Sequence, residues 1–512
     1  MITVKEMEEM LIKRGLLKAV VMSQRENDVL HALTCDSRKV VPGTLFICKG
    51  ASFRPEYLEE AARRGSVAYI SEQPIGTGYS MRGLIVTDIR RAMAAVSALF
   101  YEYRPGAPVL TGITGTKGKT TTAWYLKTML DLWEQDQGRP ETGLISTVEN
   151  YDGRKREDAV MTTPEAPVLH ELLANARDCG LQYMTMEVSS QALKYTRVRE
   201  LIFDVGIFLN ISEDHISPVE HTDFEDYFSA KLSIFRQTKT ACINLDSDHI
   251  QKIRKAARKA RRVVTFGRHP RADIRYSDVR TDSQGVHFRV TCDRFHEPFT
   301  LAMRGQFNIE NAVAAIAAAY VYGVPVKDMK QALERTRVPG RMETFGSQDK
   351  KICGIVDFAH NRLSFERLFD AVYQEYAPYR NIITIFGCPG GKAQNRRRDL
   401  GEIAGLLSDY VFITSDDPGM ECQEAIAQEV RSYVELTGCA CRCVADRRSA
   451  VNQAVRMASG VSERTIILVL GRGTEKYQKI GGCSREYPTD STLMTEALRE
   501  YDSHLQFKKN EV

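Results

Sequence analysis

The stretch VLTGITGTKGKTTTAWYL, residues 109–126, decides the fold. Its first half is a short apolar run of strand length, and TTTAWYL continues into a helical pattern. Between them lies a glycine loop ending in Gly118-Lys119-Thr120. A strand, a glycine loop and a helix in this order aim backbone N–H groups and a helix N-terminus at one point, where they hold phosphate oxygens. From such a loop Lys119 reaches the terminal phosphates, and the Thr120 hydroxyl suits a Mg2+ site. The strict GxxxxGK[ST] spacing is not met, because its first glycine position is Ile113, with Gly112 one place earlier.

Outward from this loop the alternation continues through LQYMTMEVSS (181–190) and VGIFLNIS (205–212). A second series of apolar strands, each ending in a polar or glycine-rich loop, follows VPGRM (338–342): ICGIVDFA, NIITIFGCPG, YVFITSDDPG and TIILVLGRG. Strands alternating with helices predict an α/β chain with mostly parallel sheets, whose ligands sit at the carboxyl ends of the strands. Before residue 107 the chain mixes short strands and helices, and YRPGAP (103–108) reads as a linker. The predicted organisation is three domains: a small α/β unit at 1–107, a phosphate-loop unit with a mostly parallel sheet at 108–338, and a Rossmann-like unit at 339–512.

The 512 residues carry 70 basic and 66 acidic side chains, a balance too even to point to nucleic acid or a membrane surface. The most basic run, KIRKAARKARR at 252–262, has a helical rhythm and is read as a solvated helix face. No run approaches the length of a membrane span, and the acidic start MITVKEMEEM is unlike a secretory signal. Twelve cysteines without a CxxC pair indicate neither a zinc ribbon nor a disulfide framework. Cys439, Cys441 and Cys443 share one strand face and read as small buried hydrophobes. The expectation is a reducing cytoplasm and no stable membrane association.

Further segments carry a resemblance. DSRKVVPGTLF (36–46), TTPEAP (162–167), MEVSSQAL (186–193), FLNISEDHI (208–216), YFSAKLSIF (227–235), GQFNIENAVAAIAA (305–318), VPGRME (338–343), VDFAH (356–360) and GRGTEKYQ (471–478) stand with the glycine loop's own TGTKGKTT in an order that resembles the Mur ligases. These are the ATP-dependent amide-forming enzymes of peptidoglycan precursor synthesis. The resemblance is strongest to members that add the third residue of the stem peptide to UDP-N-acetylmuramoyl-L-Ala-D-Glu. It implies a UDP-sugar-binding first domain, a central ATPase, an amino-acid-binding third domain, Mg2+ as cofactor and a monomer.

Read alone, Glu187 is a strand-end carboxylate of the kind that is usually just solvated; beside the phosphate loop and with the resemblance it is read as holding the Mg2+ that bridges ATP phosphates. His215, next to Asp214, would by itself be an ordinary hydrogen-bonded pair; the resemblance implies a metal-site histidine. Lys231, between inward-facing Phe228 and Phe235, would snorkel to water. The resemblance implies instead a carbamylated lysine that supports a second Mg2+. Asn308 and Asn311 are read as caps of the helix IENAVAAIAAAYVYG, and the resemblance adds Asn311 at the adenine end of ATP. Gly115, Thr116, Lys117, Gly118, Lys119, Thr120 and Thr121 make the ATP loop. Arg341 and Asp357 match residues that close over the phosphates and ribose, with Arg341 acting as a clamp. Ser37, Arg38, Thr162, Thr163, Ser189 and Arg197 match the UDP-sugar side. The family pattern is departed from at Gln191, Asn361 and Thr474.

For the added amino acid, Asp416, Asp417 and Gly419 occupy the place of the family's DNPR. That arginine would fork a second substrate carboxylate, so its replacement by Gly419 disfavours meso-diaminopimelate. An acidic pair suits a distal ammonium, which makes L-lysine the expected substrate. Ornithine, meso-diaminopimelate and another carboxylate acceptor are the alternatives. Arg397 is matched to the residue that takes the α-carboxylate, and Gly471 and Glu475 to the amino-acid pocket. A phosphate-loop hydrolase and a non-catalytic UDP-sugar binder are the competing classes.

Overall fold

The computed structural model describes residues 2–510 except 22, 24, 51–52, 77–79, 215, 218–219, 283, 377 and 392–393. Three large sheets follow one another along the chain, and a two-stranded sheet of Tyr477–Ile480 and Cys483–Glu486 comes after the last of them. The first has five strands in the order Leu17–Val21, Arg82–Val86, Ser66–Ser71, Thr44–Ile47, Ala32–Thr34. The segment 34–50 crosses between two parallel strands through a short 3-10 turn at Ser37–Lys39.

The second sheet has eleven strands. Its centre is parallel: Gly143–Ile145, Tyr183–Glu187, Val109–Thr114, Phe203–Phe208, Thr238–Asn244 and Arg262–Gly267. Antiparallel strands extend it at both ends. The helices Lys119–Asp136 and Phe307–Tyr322 cover one face, and Ala166–Asp178, Phe224–Leu232 and Ile250–Ala257 the other. Helix 307–322 is apolar on every side because it is buried on every side, and its alanines let neighbouring backbones approach closely. The strand Val109–Thr114 is paired on both sides, so the phosphate loop emerges from mid-sheet, between strand ends that supply Glu187 and Asn210.

The third sheet has six strands, with Thr465–Leu470 buried along its whole length between Ile352–Asp357 and Asn381–Phe386. Helices on both faces give the doubly wound arrangement expected from the apolar periodicity. At its edge, Cys439, Cys441 and Cys443 pack partly buried against the apolar core. All twelve cysteines are free, and no described helix is long and apolar enough to cross a membrane. The basic run 252–262 is only partly helical: the helix stops at Ala257, and Arg262 already belongs to a strand.

His170, on the helix Ala166–Asp178, is 1% exposed and packs edge-on against Tyr103. Neither ring nitrogen has a hydrogen-bond partner, and burial holds its pKa down at about 3. A folded-state pKa below the unfolded value near 6.5 means stability is intact above pH 6.5 and lost as pH falls below it. Between pH 7 and pH 5 this residue should cost about 2 kcal/mol of unfolding free energy. Urea unfolding of His170→Phe at the two pH values should show a correspondingly smaller loss than wild type. An equal loss in both would assign the acid sensitivity elsewhere.

Candidate active site

The phosphate loop is held in place from three directions. Gly118 opens the helix Lys119–Asp136 with φ of +87°, and a Cβ there would stand 2.0 Å from Asn311 Oδ1. Glycine is therefore required by backbone and neighbour alike. Lys117 N–H donates to Asn210 Oδ1 at 2.9 Å, and the Thr116 hydroxyl accepts from Ser212 N–H and Tyr227 Oη–H, both at 3.1 Å. Asn308 and Asn311 are not helix caps: the N-cap position is Gln306, which makes no side-chain capping bond. Asn308 Nδ2 instead donates to Arg304 O at 2.7 Å and Asn311 Nδ2 to Asn308 Oδ1 at 3.1 Å, bonds internal to the start of the helix.

Cations converge on this loop. Lys119 Nζ donates to Gly115 O at 3.0 Å and Thr116 O at 3.3 Å, and Lys231 Nζ donates to the same Gly115 oxygen at 2.9 Å. Lys231 is 2% exposed; burial, reinforced by Lys119 and Lys117 and opposed by Asp214, holds its pKa well below the usual lysine range. Burial also lowers Lys117, to about 8, against the pull of Asp214. Arg341 comes from the third domain's side, with Nη2 3.3 Å from Thr120 Oγ1 and its guanidinium over the Phe358 ring. Asp357 accepts from the N–H groups of Met342 and Ala359 at 2.8 and 2.7 Å, which fixes the turn that aims Arg341. Glu187, 1% exposed, accepts from Thr147 N–H at 2.8 Å and Thr147 Oγ1–H at 3.2 Å. Thr147 carries no recognisable motif, and only the sheet brings it to Glu187. His215 lies outside the described residues.

The central and third domains meet over this loop. Asp214, 5% exposed in its side chain, takes Asn361 Nδ2–H at 2.8 Å and Arg396 Nη2–H at 3.1 Å, with Lys117 Nζ at 3.4 Å. Asn361 also caps the helix Arg362–Glu375, so this departure from the family pattern serves both helix and domain contact. His360 Nδ1–H donates to Phe358 O at 2.6 Å; burial, Lys117 and Arg396 keep its pKa well below the ordinary value, hence neutral at pH 7. The 471–475 loop packs on the VPGR hinge, where a Cβ on Gly340 would lie 3.0 Å from Thr474 N.

On the UDP-sugar side, Thr163 Oγ1 donates to Glu187 O at 2.9 Å and accepts from Ser189 N–H at 3.0 Å, and Thr162 lies 3.2 Å from Thr147. Arg197 donates to Thr163 O and pairs with Glu165, which also holds Lys49 of the first domain at 2.6 Å. Gln191 pairs with Glu220. Ser37 and Arg38 stand within the first domain, bonded to Glu60 and Asp36.

The amino-acid loops differ most from the expectation. Arg397 is 4% exposed, and its terminal nitrogens are engaged by Glu429 at 2.6 Å and Glu421 at 2.8 Å. It ties the helix Asn395–Leu407 to the neighbouring loop and helix rather than presenting a free fork for a substrate carboxylate. Asp416 and Asp417 are not an open pair either: Arg472 Nη1 lies between them at 3.1 and 2.9 Å, with Glu475 3.4 Å from Nη2. Carboxylate oxygens of Asp416, Asp417 and Glu475 lie within 4.8 Å of one another. Burial raises the Asp416 pKa, opposed by Arg472 and then Arg447. Gly419 has a backbone reason of its own, with φ of +61° and a bridge to Ile480. Arg472 went unsingled in the sequence because a basic residue in a glycine loop names no partner.

Two family models match: the Mur ligase middle domain over residues 113–319 and the Mur ligase glutamate ligase domain over 340–476. A UDP-N-acetylmuramyl-tripeptide synthetase of Lactobacillus delbrueckii subsp. bulgaricus is 35% identical over 96% of this chain and 98% of its own. This chain belongs to the Mur ligase family. A UDP-N-acetylmuramoyl-L-alanyl-D-glutamate–L-lysine ligase of Enterococcus faecalis is 36% identical over 92% of both chains. Among solved structures, a UDP-N-acetylmuramoyl-L-alanyl-D-glutamate–2,6-diaminopimelate ligase matches with TM-score 0.62 at 23% identity, over 94% of this chain and 97% of that one. That likeness establishes the fold: mixed α/β with mostly parallel sheets. The Mur ligase described here is a ligase of peptidoglycan synthesis.

Because Arg397 bridges two carboxylates, Arg397→Ala should lower the unfolding free energy by about 1–2 kcal/mol. The Michaelis constant for the amino acid should stay within about twofold if no substrate bond is removed. A large rise in that constant with unchanged stability would restore the α-carboxylate role.

Proposed function

We propose that this Mur ligase joins L-lysine to UDP-N-acetylmuramoyl-L-Ala-D-Glu with ATP. The γ-phosphoryl group passes to the acceptor's carboxylate, the amino acid's amine attacks the acyl phosphate, and phosphate leaves as the amide forms. The observation that carries the ATP half is the convergence of Lys117, Lys119 and Arg341 on one loop, beside the buried Lys231 amine, with Glu187 behind it. These cations repel one another in a buried site, and a polyphosphate is the ligand that relieves them.

The loop N–H groups and Lys119 bind the phosphates, and Arg341 neutralises charge on the group in transfer. Asn308, Asn311 and Asp357 border the nucleotide. Thr162, Thr163, Ser189 and Arg197, with Ser37 and Arg38 from the first domain, take the UDP-sugar acceptor. Thr120, Glu187 and His215 would hold Mg2+. A buried carboxylate backed by Thr147, together with a buried hydroxyl at the end of the phosphate loop, is a set of oxygen donors of the kind this hard cation takes. When bound, the ion supplies charge neutralisation on the phosphates. Lys231 fits a carbamate precursor, because burial among like charges favours its neutral amine, the form that adds carbon dioxide.

For the amino acid, the carboxylates of Asp416, Asp417 and Glu475 gather around Arg472, with Arg447 also acting on Asp416 and Arg341 on Glu475. A carboxylate cluster in this loop supports a substrate with a distal ammonium and no distal carboxylate. Gly471 lines the same loop.

Phosphate release should require ATP, the UDP-linked dipeptide and an amino acid together, with lysine preferred over ornithine and diaminopimelate. Release without the acceptor would identify a hydrolase, and preference for diaminopimelate would overturn the lysine assignment. Lys119→Ala should abolish turnover; retained turnover would mean that the phosphate loop is misread. With 13C-bicarbonate, wild type should show a carbamate carbon resonance that Lys231→Ala lacks; its absence from wild type would leave Lys231 as an unmodified amine.

A further inference from the structure

Beneath the amino-acid loops lies an ion pair that none of the chemistry above uses. Arg447 opens the helix Arg447–Gly460 and Asp490 opens the helix Asp490–Asn510, and their side chains are 0% and 2% exposed. They meet as a two-point fork, Nε to Oδ1 at 2.6 Å and Nη2 to Oδ2 at 2.7 Å.

The remaining capacity of the pair goes to backbone. Arg447 Nη2 donates to Leu470 O at 2.6 Å and Nη1 to Ser415 O at 3.3 Å. Asp490 Oδ2 accepts from Gly473 N–H at 3.2 Å, while Asp490 N–H donates to Gly473 O at 3.0 Å. Leu470 and Gly473 flank Arg472, and Ser415 precedes Asp416 and Asp417. One side-chain pair thus grips the root of both loops that carry the pocket's charges.

A purely structural reading explains this poorly. Burying both charges costs desolvation, and a well-packed apolar pair often supports a fold equally well. Arg447 also places a cation at a helix N-terminus, the unfavourable end of the dipole. An apolar pair, however, could not hold two carbonyls and an amide from separate loops at one spacing. That spacing matters because Arg472, 1% exposed, must reach Asp416 and Asp417 across the gap between the loops. A shift on the order of 1 Å would break those bonds and reshape the pocket.

We propose that Arg447 and Asp490 are the positioning pair of the amino-acid pocket: by fixing the spacing of the 415–417 and 471–475 loops, they set which amino-acid side chain the ligase accepts. The proposal rests on assigning these loops to the amino acid. It extends that assignment to two residues that touch no substrate.

The test is internal competition. The enzyme is given equal lysine and ornithine with ATP and the UDP-linked dipeptide, and the product ratio is read by mass spectrometry. That ratio reports relative kcat/KM of the active molecules alone, so lost folded enzyme does not change it. Asp490→Asn keeps the shape and removes the charge; Arg447→Lys keeps the charge and removes the fork. Both should lower the lysine-to-ornithine ratio about tenfold and raise the lysine KM about tenfold. The KM values for ATP and the UDP-linked dipeptide should stay within about twofold. If neither variant yields active enzyme, Asp490→Glu displaces the carboxylate more gently and carries the same test. Wild-type ratio and lysine KM in an active variant would overturn the proposal. A wild-type enzyme that uses neither lysine nor ornithine refutes the substrate assignment instead, and the ratio is then measured between the two amino acids it uses best.

Discussion

The Gly115 carbonyl oxygen accepts from two lysine amino groups, those of partly buried Lys119 and fully buried Lys231. Everything around the phosphate loop answers to that crowding of charge. Gly118 lets Asn311 press against the loop, Glu187 stands behind it, and Asp214 takes up part of the excess positive charge. A mid-sheet position makes the crowding possible, because strands on both sides deliver side chains to one point. The lysines are kept close by backbone hydrogen bonds that a solvated loop would lose to water.

The contact between the second and third sheets' segments follows the same charge logic. Asp214 binds Lys117 beside the loop and also receives Arg396 and Asn361 from across the domain boundary. Arg341 reaches Thr120 from the segment that leads into the third sheet, so that sheet is registered directly on the glycine loop. A reaction that passes an activated carboxyl group to an incoming amine needs that registration, since the two must meet within bonding reach.

Much of this was legible in the residues. The strands of both series stand where apolar runs end in glycine or polar loops, because buried parallel strands leave no room for polar side chains along their length. Phe228 and Phe235 face inward as their spacing requires. Asn308 and Asn311 were misread because a helix-start asparagine is usually a cap, and here the true cap position lies earlier, at Gln306. The partners of Arg397 were not legible, because a sequence cannot say that Glu421 and Glu429, distant along the chain, engage its terminal nitrogens.

By itself the sequence determined the α/β class, the phosphate loop with Lys119, and the strand-end placement of Glu187, since periodicity and glycine spacing are local properties. Only tertiary structure decided how charges pair. It placed Arg472 between Asp416 and Asp417, turned Arg397 into its own domain, and buried Arg447 with Asp490. Ion pairing depends on which side chains fall within a few ångströms after folding, and on how little water remains between them. Neither quantity is written in any local stretch of the chain.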